Sequence, residues 1–225
     1  SAHGFKTTLD YVKETAEHIL DNSLLIPHLN VGTLTPEDIL ELKDVSGSMG
    51  LMLETHSARL SEKGMPHFGS PDKDPEYRLQ TFINAGEQQI PFTTGLLIGI
   101  GESREERIQS LMVINEIHNR YGNIQEVIIQ NFKSKKNTLM SDFPEPSFKE
   151  LQWTIVMARK ILSNQISIQV PPNLNQKHLS CLTISGIDDF GGISPVTIDH
   201  VNPEAPWPEI EKLEKISQNS EQILL

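Results

Sequence analysis

The sequence has little cysteine, little positive charge and no long apolar run. Cys181 is the only cysteine among 225 residues, so a disulfide framework is excluded and the reducing cytoplasm is the expected compartment. Acidic residues number 30 against 19 basic ones, a net charge of −11, which argues against nucleic acid or an anionic membrane as a partner. No stretch approaches the roughly 18 consecutive apolar residues of a membrane span.

Several catalytic signatures are also absent. The sequence contains neither the G-K-[ST] of a phosphate-binding loop nor the G-x-S-x-G of a nucleophile elbow. One cysteine and scattered histidines give no zinc spacing. Gly99-Ile100-Gly101 begins like a dinucleotide fingerprint, but Arg104 stands where that turn needs a small residue.

What the sequence does contain is a regular alternation of helix and strand patterns. Apolar steps of three and four, with capping residues ahead of them, predict helices over 9–20, 35–43, 74–89, 103–122, 147–162 and near 208–218. Short apolar runs predict strands over 24–32, 46–54, 91–99, 124–130 and 166–170. This alternation predicts a parallel α/β sheet, either part of a (β/α) barrel or an open doubly wound sheet.

Polar residues follow these strands at the edge where both architectures place their active sites. Carboxamides and a carboxylate there indicate a polar small-molecule site, although strand ends are wet in any protein. The long segment 55–73 has no periodicity and reads as a lid or a disordered loop. Segment 186–208 is rich in glycine and proline but carries Phe190 and Trp207, so it is expected to be ordered. One domain is expected over 1–225, with 186–225 as its C-terminal cap and helix.

The stretch PFTTGLLIGIGESREER, residues 91–107, carries an unusual concentration of glycine. Gly95 and Gly99 share one face of the predicted strand, which lets a flat ligand approach the backbone. The same glycines could instead serve tight packing, with Glu102 as a first-turn acid that favours the helix dipole. The motif alone leaves both readings open.

This stretch resembles the glycine-rich fifth-strand motif of radical S-adenosylmethionine (SAM) enzymes. The likeness widens to nearly the whole chain, from about residue 5 to 216, and includes the runs GMPHFGSPDKDPEYRL, GGISPVT and DHVNPEAPWP. Over this length the sequence is similar to the family of 7,8-didemethyl-8-hydroxy-5-deazariboflavin synthase, subunit 1. The resemblance implies a partial, TIM-like (β/α) barrel of the radical SAM type.

The resemblance also implies a reaction. In the family, a [4Fe-4S] cluster donates an electron to SAM, and the resulting 5′-deoxyadenosyl radical abstracts hydrogen from a small-molecule substrate. That substrate is an adduct of hydroxybenzyl and ribityl-diaminouracil, made by a partner subunit 2. Ring closure with loss of ammonia gives the deazaflavin chromophore of a hydride-carrying coenzyme, so the activity expected is that of a radical SAM lyase.

Site residues follow from the same resemblance. For SAM they are Glu54, Gly95, Gly99, Gly101 and Glu102, and for the uracil or ribityl groups they are Gln130, Asn131, Gln169 and Asn173. The carboxamides suit a uracil edge because each offers a donor and an acceptor. No catalytic residue is assigned.

The sequence departs from the family at the cluster. The family holds its cluster with three cysteines in one loop, and these residues contain only Cys181, so no metal ligand is expected here. We therefore expect that about two N-terminal βα units are missing and that the chain alone is inactive. Two alternatives stay open, namely a non-radical (β/α) barrel lyase and a non-catalytic interaction module. The lyase would want a Schiff-base lysine at a strand end, and the predicted strands contain none.

Overall fold

The computed structural model describes residues 4–194 and 196–219, and its five strands lie side by side in chain order. All neighbouring strands are parallel. The strands are β1 (His28–Leu29), β2 (Ser48–Gly50), β3 (Phe92–Ile98), β4 (Ile124–Asn131) and β5 (Ser167–Gln169).

This strand order decides between the two architectures. Right-handed crossovers from each strand to its next neighbour place every connecting helix on the same face of the sheet. A doubly wound sheet reverses its order and carries helices on both faces. The sheet is therefore part of a (β/α) barrel, with one face under helices and the other forming the inside of the barrel.

The helices begin where the sequence supplies a cap. The cap residues are Thr7, Thr35 and Ser103, and the side chain of each accepts a hydrogen bond from the backbone N–H three residues later. The acidic side chain at that later position accepts a hydrogen bond from the backbone N–H of the cap residue. None of the described helices is long and apolar enough to cross a membrane. They are α1 (Thr8–Asn22), α2 (Pro36–Leu42), α3 (Pro75–Glu87), α4 (Arg104–Tyr121), α5 (Phe148–Ile161), α6 (Leu179–Ser185) and α7 (Ile210–Asn219).

The core lies between the helices and the outer face of the sheet. On β4 the fully buried Val127 and Ile129 alternate with the half-buried Ile128, so the odd-numbered side chains face the helices. Phe82 of α3 packs on Phe92 of β3 with 5.1 Å between ring centroids. Burial of such apolar side chains, worth about 1.5–3 kcal/mol each, fixes the helices against the sheet.

Two predicted strands are shorter than expected. β1 keeps two residues of the predicted 24–32, and Leu24, Leu25 and Ile26 are exposed. The apolar run predicted burial there, but no described element covers it. The predicted strand 46–54 is regular only at Ser48–Gly50 and ends in an isolated bridge at Glu54.

Two further features of the helices differ from the prediction. The short helix α6 was missed because His178 gives it no side-chain cap, although Leu179 and Leu182 bury it. At α5 the Ser-x-x-Glu sequence, Ser147 to Glu150, predicts a capping box, which is only half formed. Ser147 accepts from the Glu150 N–H, but the Glu150 carboxylate instead binds two arginines of α4.

The segment after α6 closes the far edge of the sheet. Asp188 and Asp189 donate their N–H groups to the Ile168 carbonyl at 2.9 and 3.2 Å, and Val170 N–H donates to the Asp189 carbonyl. The Asp188 carboxylate also accepts from Ile168 N–H and pairs with Arg159. This part of the segment is therefore ordered, as expected. The assignment of 186–225 as a separate cap stays a prediction, and residues 195 and 220–225 lie outside the described residues.

The exposed apolar residues beside β1 lead to a prediction. An unpaired strand edge flanked by apolar side chains favours association between copies. Replacing Leu24, which is fully exposed, by lysine is expected to shift the purified 225-residue chain toward the monomer in sedimentation velocity. Leu139→Lys is the matched control, because Leu139 is as exposed but lies between β4 and α5. Equal effects of the two changes would contradict this.

Candidate functional site

The inner face of the sheet is polar at many of its positions. Strand register places Thr93 of β3 beside Glu126 of β4, and Glu126 beside Ser167 of β5. On the first two strands, His28 Nδ1 lies 2.7 Å from Ser48 Oγ. Because the outer face of the sheet is apolar and covered by helices, these side chains define a polar concave surface where a ligand can lie.

The glycines of β3 and its following turn are required by close contacts or by their backbone conformation. A Cβ at Gly95 would come within 2.3 Å of the Ile128 carbonyl and 2.8 Å of Met52 Sδ. Gly99 has φ +87°, and a Cβ there would lie 2.5 Å from the Pro146 ring. Gly101 has φ +110°, a region that other residues rarely adopt. Packing at Gly95 and Gly99 and backbone conformation at Gly99 and Gly101 therefore account for these glycines, and their contact with SAM stays a prediction.

Glu102 organises this turn. Its two carboxylate oxygens accept from the Gly99 and Ile100 N–H groups at 2.7 and 2.8 Å. Arg107 of α4 donates to the same carboxylate at 2.7 Å, and both side chains are almost fully buried, at 2% and 6% exposure. Arg107 also binds Glu150 at the start of α5. The carboxylate thus shapes the glycine turn, and its predicted role toward SAM acts at most through that turn.

Glu54 lies at the end of β2 among cationic partners. Its N–H donates to the Gly95 carbonyl of β3, and its own carbonyl accepts from the Leu97 N–H. Glu54 makes these strand-like bonds although its φ angle, +62°, lies in the left-handed region. The carboxylate lies 2.9 Å from His67 Nε2, 2.5 Å from Lys73 Nζ and 3.2 Å from Arg78 Nη1. Burial raises its pKa, but these bonds and the charges of Lys73 and Arg78 outweigh burial and lower the pKa to about 2.

Two of the three partners of Glu54, His67 and Lys73, come from the long connection after β2, and the third, Arg78, comes from α3. Residues 55–73 are ordered, with short 3₁₀ turns at Ala58–Ser61 and Pro71–Lys73. Arg59 anchors the segment by donating to Glu106 and to the Gly101 carbonyl at 2.9 Å. The segment therefore closes over the glycine turn, and its disordered alternative is wrong.

Three of the four predicted substrate carboxamides lie together. Gln130, Gln169 and Asn173 line a cavity of about 180 Å³ beneath the C-terminal segment. Asn131 does not share it, because side chains on a strand alternate and Asn131 faces the helices. There it accepts a 2.8 Å bond from Asn175. Their contacts with substrate stay predictions.

Sequence reasoning missed Glu126, which lies on the inner face next to Gln169. Burial, with a smaller contribution from the charge of Asp189, raises the pKa of Glu126 to about 7. With its amide nitrogen toward Glu126, Gln169 donates to both carboxylate oxygens at 3.2 and 2.9 Å. The signal was visible as a single acid within the apolar strand IQEVIIQ.

The described residues do not fit an iron–sulfur cluster. Such a cluster is held by several thiolates, whereas Cys181 is single and exposed. Within 4–194 and 196–219 no group of three histidine, cysteine, aspartate or glutamate side chains is placed to hold a metal ion. We therefore assign no step to a cluster in this chain.

SAM fits the inner face better. The space that glycine leaves at Gly95 is filled by the end of Met52, a flexible side chain that can move aside. Glu54 lies next to it, and its partner Lys73 is about a third exposed, so a ligand ammonium or hydroxyl can take the place of Lys73.

Comparison with known proteins gives the family. The chain is 50% identical over 215 residues to the 7,8-didemethyl-8-hydroxy-5-deazariboflavin synthase of Methanococcus maripaludis strain C6, covering 96% of this chain and 60% of that protein. It is 46% identical to the Methanopyrus kandleri protein of the same name, covering 96% of this chain and 65% of that protein. The chain belongs to the 7,8-didemethyl-8-hydroxy-5-deazariboflavin (FO) synthase family. FO synthase of Nocardia farcinica is 47% identical over 219 residues, but the chain spans only 25% of it.

Solved structures confirm the fold predicted for this FO synthase family member. Methylornithine synthase (PylB) superposes with a TM-score of 0.74 at 14% identity, covering 97% of this chain and 64% of that chain. HydG, a maturase of the [FeFe]-hydrogenase, gives 0.70 at 21% identity, covering 80% and 42%. At these identities the likeness shows the fold alone, a partial (β/α) barrel. No family model matches the sequence.

The bonds of Glu102 lead to a stability prediction. Glu102→Gln places an amide nitrogen against N–H donors and leaves Arg107 partly unpaired, so the free energy of unfolding is expected to fall by about 2–4 kcal/mol. Glu105→Gln is the control, because it removes one negative charge near the same helix start, in the first turn of α4 and at an exposed position, and it is expected to cost less than about 1 kcal/mol. Urea unfolding measures both. Similar losses would show that Glu102 acts only on the helix dipole.

The raised pKa of Glu126 predicts a pH dependence of stability. The folded chain holds this proton more tightly than the unfolded chain, so the stabilisation is complete below about pH 4.5 and is lost as pH rises through about 7. The Glu126→Gln variant has no carboxyl group to ionise, so it does not lose this stabilisation as pH rises. Its stability relative to the parent is expected to rise between pH 5 and 8, by about 1–2 kcal/mol after discounting for solvent exposure.

Urea midpoints at pH 5, 6, 7 and 8 measure this difference. Glu116→Gln, on the solvent face of α4, is the control and is expected to show a constant difference from the parent. If the difference in stability between Glu126→Gln and the parent also stayed constant from pH 5 to 8, it would contradict the raised pKa of Glu126.

Proposed function

We propose that this chain forms most of the SAM and substrate walls of a deazaflavin synthase. In that enzyme, an adduct of hydroxybenzyl and ribityl-diaminouracil is cyclised to 7,8-didemethyl-8-hydroxy-5-deazariboflavin with loss of ammonia. A partner polypeptide, subunit 2, supplies the adduct. The observation that carries the proposal is identity of 46–50% over 96% of the chain to proteins with this name.

The geometry of the inner face supports the same reaction. When bound, SAM supplies the hydrogen-abstracting chemistry, and Glu54, Met52 and Gly95 form the surface that holds it. Glu54 remains ionised at neutral pH because its pKa is about 2, so it offers an acceptor to the hydroxyl or amino groups of SAM.

Glu126 is suited to proton transfer in the ring closure. A carboxyl group whose pKa is about 7 is present in both protonation states at neutral pH, which favours general acid–base catalysis. Departure of ammonia requires a proton, and Glu126 lies on the same concave face as Gln130. We assign to Glu126 the delivery of this proton to the leaving nitrogen.

The cluster that starts the reaction lies, in this proposal, on residues outside these 225. The chain spans about 60–65% of the length of the Methanococcus maripaludis and Methanopyrus kandleri proteins, and its single cysteine cannot replace three thiolates. The 225-residue chain by itself is therefore expected to bind no stoichiometric cluster after anaerobic reconstitution with iron and sulfide. An iron and sulfide content near that of a [4Fe-4S] centre would contradict the assignment.

Activity is tested on a polypeptide that carries these residues together with the cluster-binding cysteines. Under anaerobic conditions with SAM, a reductant and the adduct, we expect fluorescent deazaflavin and 5′-deoxyadenosine in matched amounts. Omitting the adduct from the mixture should abolish formation of the fluorescent product. SAM cleavage with no deazaflavin from an authentic adduct would overturn the proposed function.

The role of Glu54 is tested in the same assay. Glu54→Gln is expected to raise the KM for SAM roughly tenfold, because a charge-assisted bond worth about 1.5–3 kcal/mol is lost. Its iron content should not change. Glu62→Gln, an exposed change on the same connection, is the control. An unchanged KM in Glu54→Gln would remove Glu54 from the SAM site.

A further inference from the structure

The cavity beneath the C-terminal segment contains polar atoms that the protein does not satisfy. Asn173 is 5% exposed, and its Oδ1 has no hydrogen-bond partner. Trp207 Nε1, also buried, likewise has none. Both residues line this cavity. Buried polar atoms are nearly always paired, so an unpaired acceptor and an unpaired donor on two residues of its wall indicate a missing partner.

The amide nitrogen of Asn173, in contrast to its oxygen, donates both of its hydrogens within the protein. Its Nδ2 donates to Asp199 Oδ2 at 2.8 Å and to the Ala205 carbonyl at 3.3 Å. Asn202 donates to the same Asp199 oxygen at 2.9 Å. These bonds fix the amide so that the nitrogen faces the C-terminal segment, which leaves the oxygen as the free acceptor.

The walls of the cavity suit a planar ring. Its volume is about 180 Å³, the space of roughly six waters at liquid density, which matches one six-membered ring with its substituents better than a whole tricyclic flavin. Both apolar and polar side chains line it. The lining includes Phe190, Leu174, Val201 and Trp207 beside Gln130 and Gln169.

We propose that this cavity is the subsite for the pyrimidinedione ring of the substrate, with Asn173 Oδ1 accepting from a ring N–H and Trp207 Nε1 donating to a ring carbonyl. Gln130, which lines the same cavity, takes a second polar position of the ring. The assignment rests on the proposed function. It names which part of the adduct lies under the C-terminal segment and which two side chains recognise it.

The position is consistent with the chemistry assigned to the sheet. Gln169 lines the cavity and also reaches Glu126, so a ring in the cavity lies one side chain away from the proton donor. A pyrimidinedione presents alternating carbonyl and N–H groups, which complements one free donor and one free acceptor. An ordinary apolar ligand would leave both groups unpaired and would bind poorly.

The test uses two probes that differ only in the methylation of the two ring nitrogens. For the parent 225-residue chain, 5,6-diaminouracil is expected to bind at least tenfold more tightly than 5,6-diamino-1,3-dimethyluracil, because the dimethyl probe has no ring N–H for Asn173. Titration calorimetry measures both. Equal affinities, or no binding of 5,6-diaminouracil at millimolar concentration, would overturn the proposal.

A matched pair of variants tests the donor. Trp207→Phe keeps an aromatic wall and removes the N–H, and it is expected to weaken 5,6-diaminouracil about tenfold. Trp153→Phe makes the same change at the other tryptophan, which stacks under Arg104 on the outside of α5, and should leave affinity unchanged. Equal affinity in both variants would overturn the role of Trp207. If Trp207→Phe does not fold by circular dichroism, the probe pair on the parent still decides.

The two proposals fail in different ways. If the complete enzyme makes deazaflavin but affinity for 5,6-diaminouracil is unaffected by ring methylation or by Trp207→Phe, only the subsite is wrong. If the probes discriminate as expected but no deazaflavin forms from the adduct, the proposed function is wrong and the cavity is a pyrimidinedione site of another enzyme.

Discussion

The buried carboxylate of Glu102 is the interaction on which the candidate site depends. It holds the Gly99 and Ile100 N–H groups at the end of β3 and neutralises Arg107, which in turn reaches Glu150 on α5. One acid thereby joins a strand end and two helix starts. Buried charges are tolerated only when paired and bonded on all sides, so the three elements are fixed relative to one another, and the inner face inherits that rigidity.

Much of the fold could be predicted from local signals, whereas the roles of single residues could not. Cap residues such as Thr35 and Ser103 act within three positions of the chain, so the sequence shows them directly. The sequence left Glu102 as either a ligand contact or a dipole acid. Its bonds to the turn itself depend on how Gly99 folds back, which no spacing rule reveals. The exposed Leu24 was misjudged because apolar character predicts burial only where something is present to cover it.

The carboxamides show the same limit. Gln130 and Asn131 are neighbours at a strand end, and their position alone put both in the site. The two-residue period of a strand separates them onto opposite faces, and the register of β4 shows which face is the inside. The same alternation could have placed Glu126 on the inner face with Gln130 from the sequence alone. The meeting of Asn173 with Trp207 was not, because it is created by the path of the C-terminal segment over the sheet.

That segment gives the sheet two unequal edges. The outer side of β5 already has its partner in Asp188 and Asp189, while within the described residues β1 has a neighbour only on its β2 side. A sheet with one free edge can add one copy of itself and no more. Pairing of β1 with β1 is symmetric and uses the edge that the described residues leave free in both molecules. Edge-to-edge pairing of this chain through β1 therefore closes as a two-fold pair and does not grow into a filament.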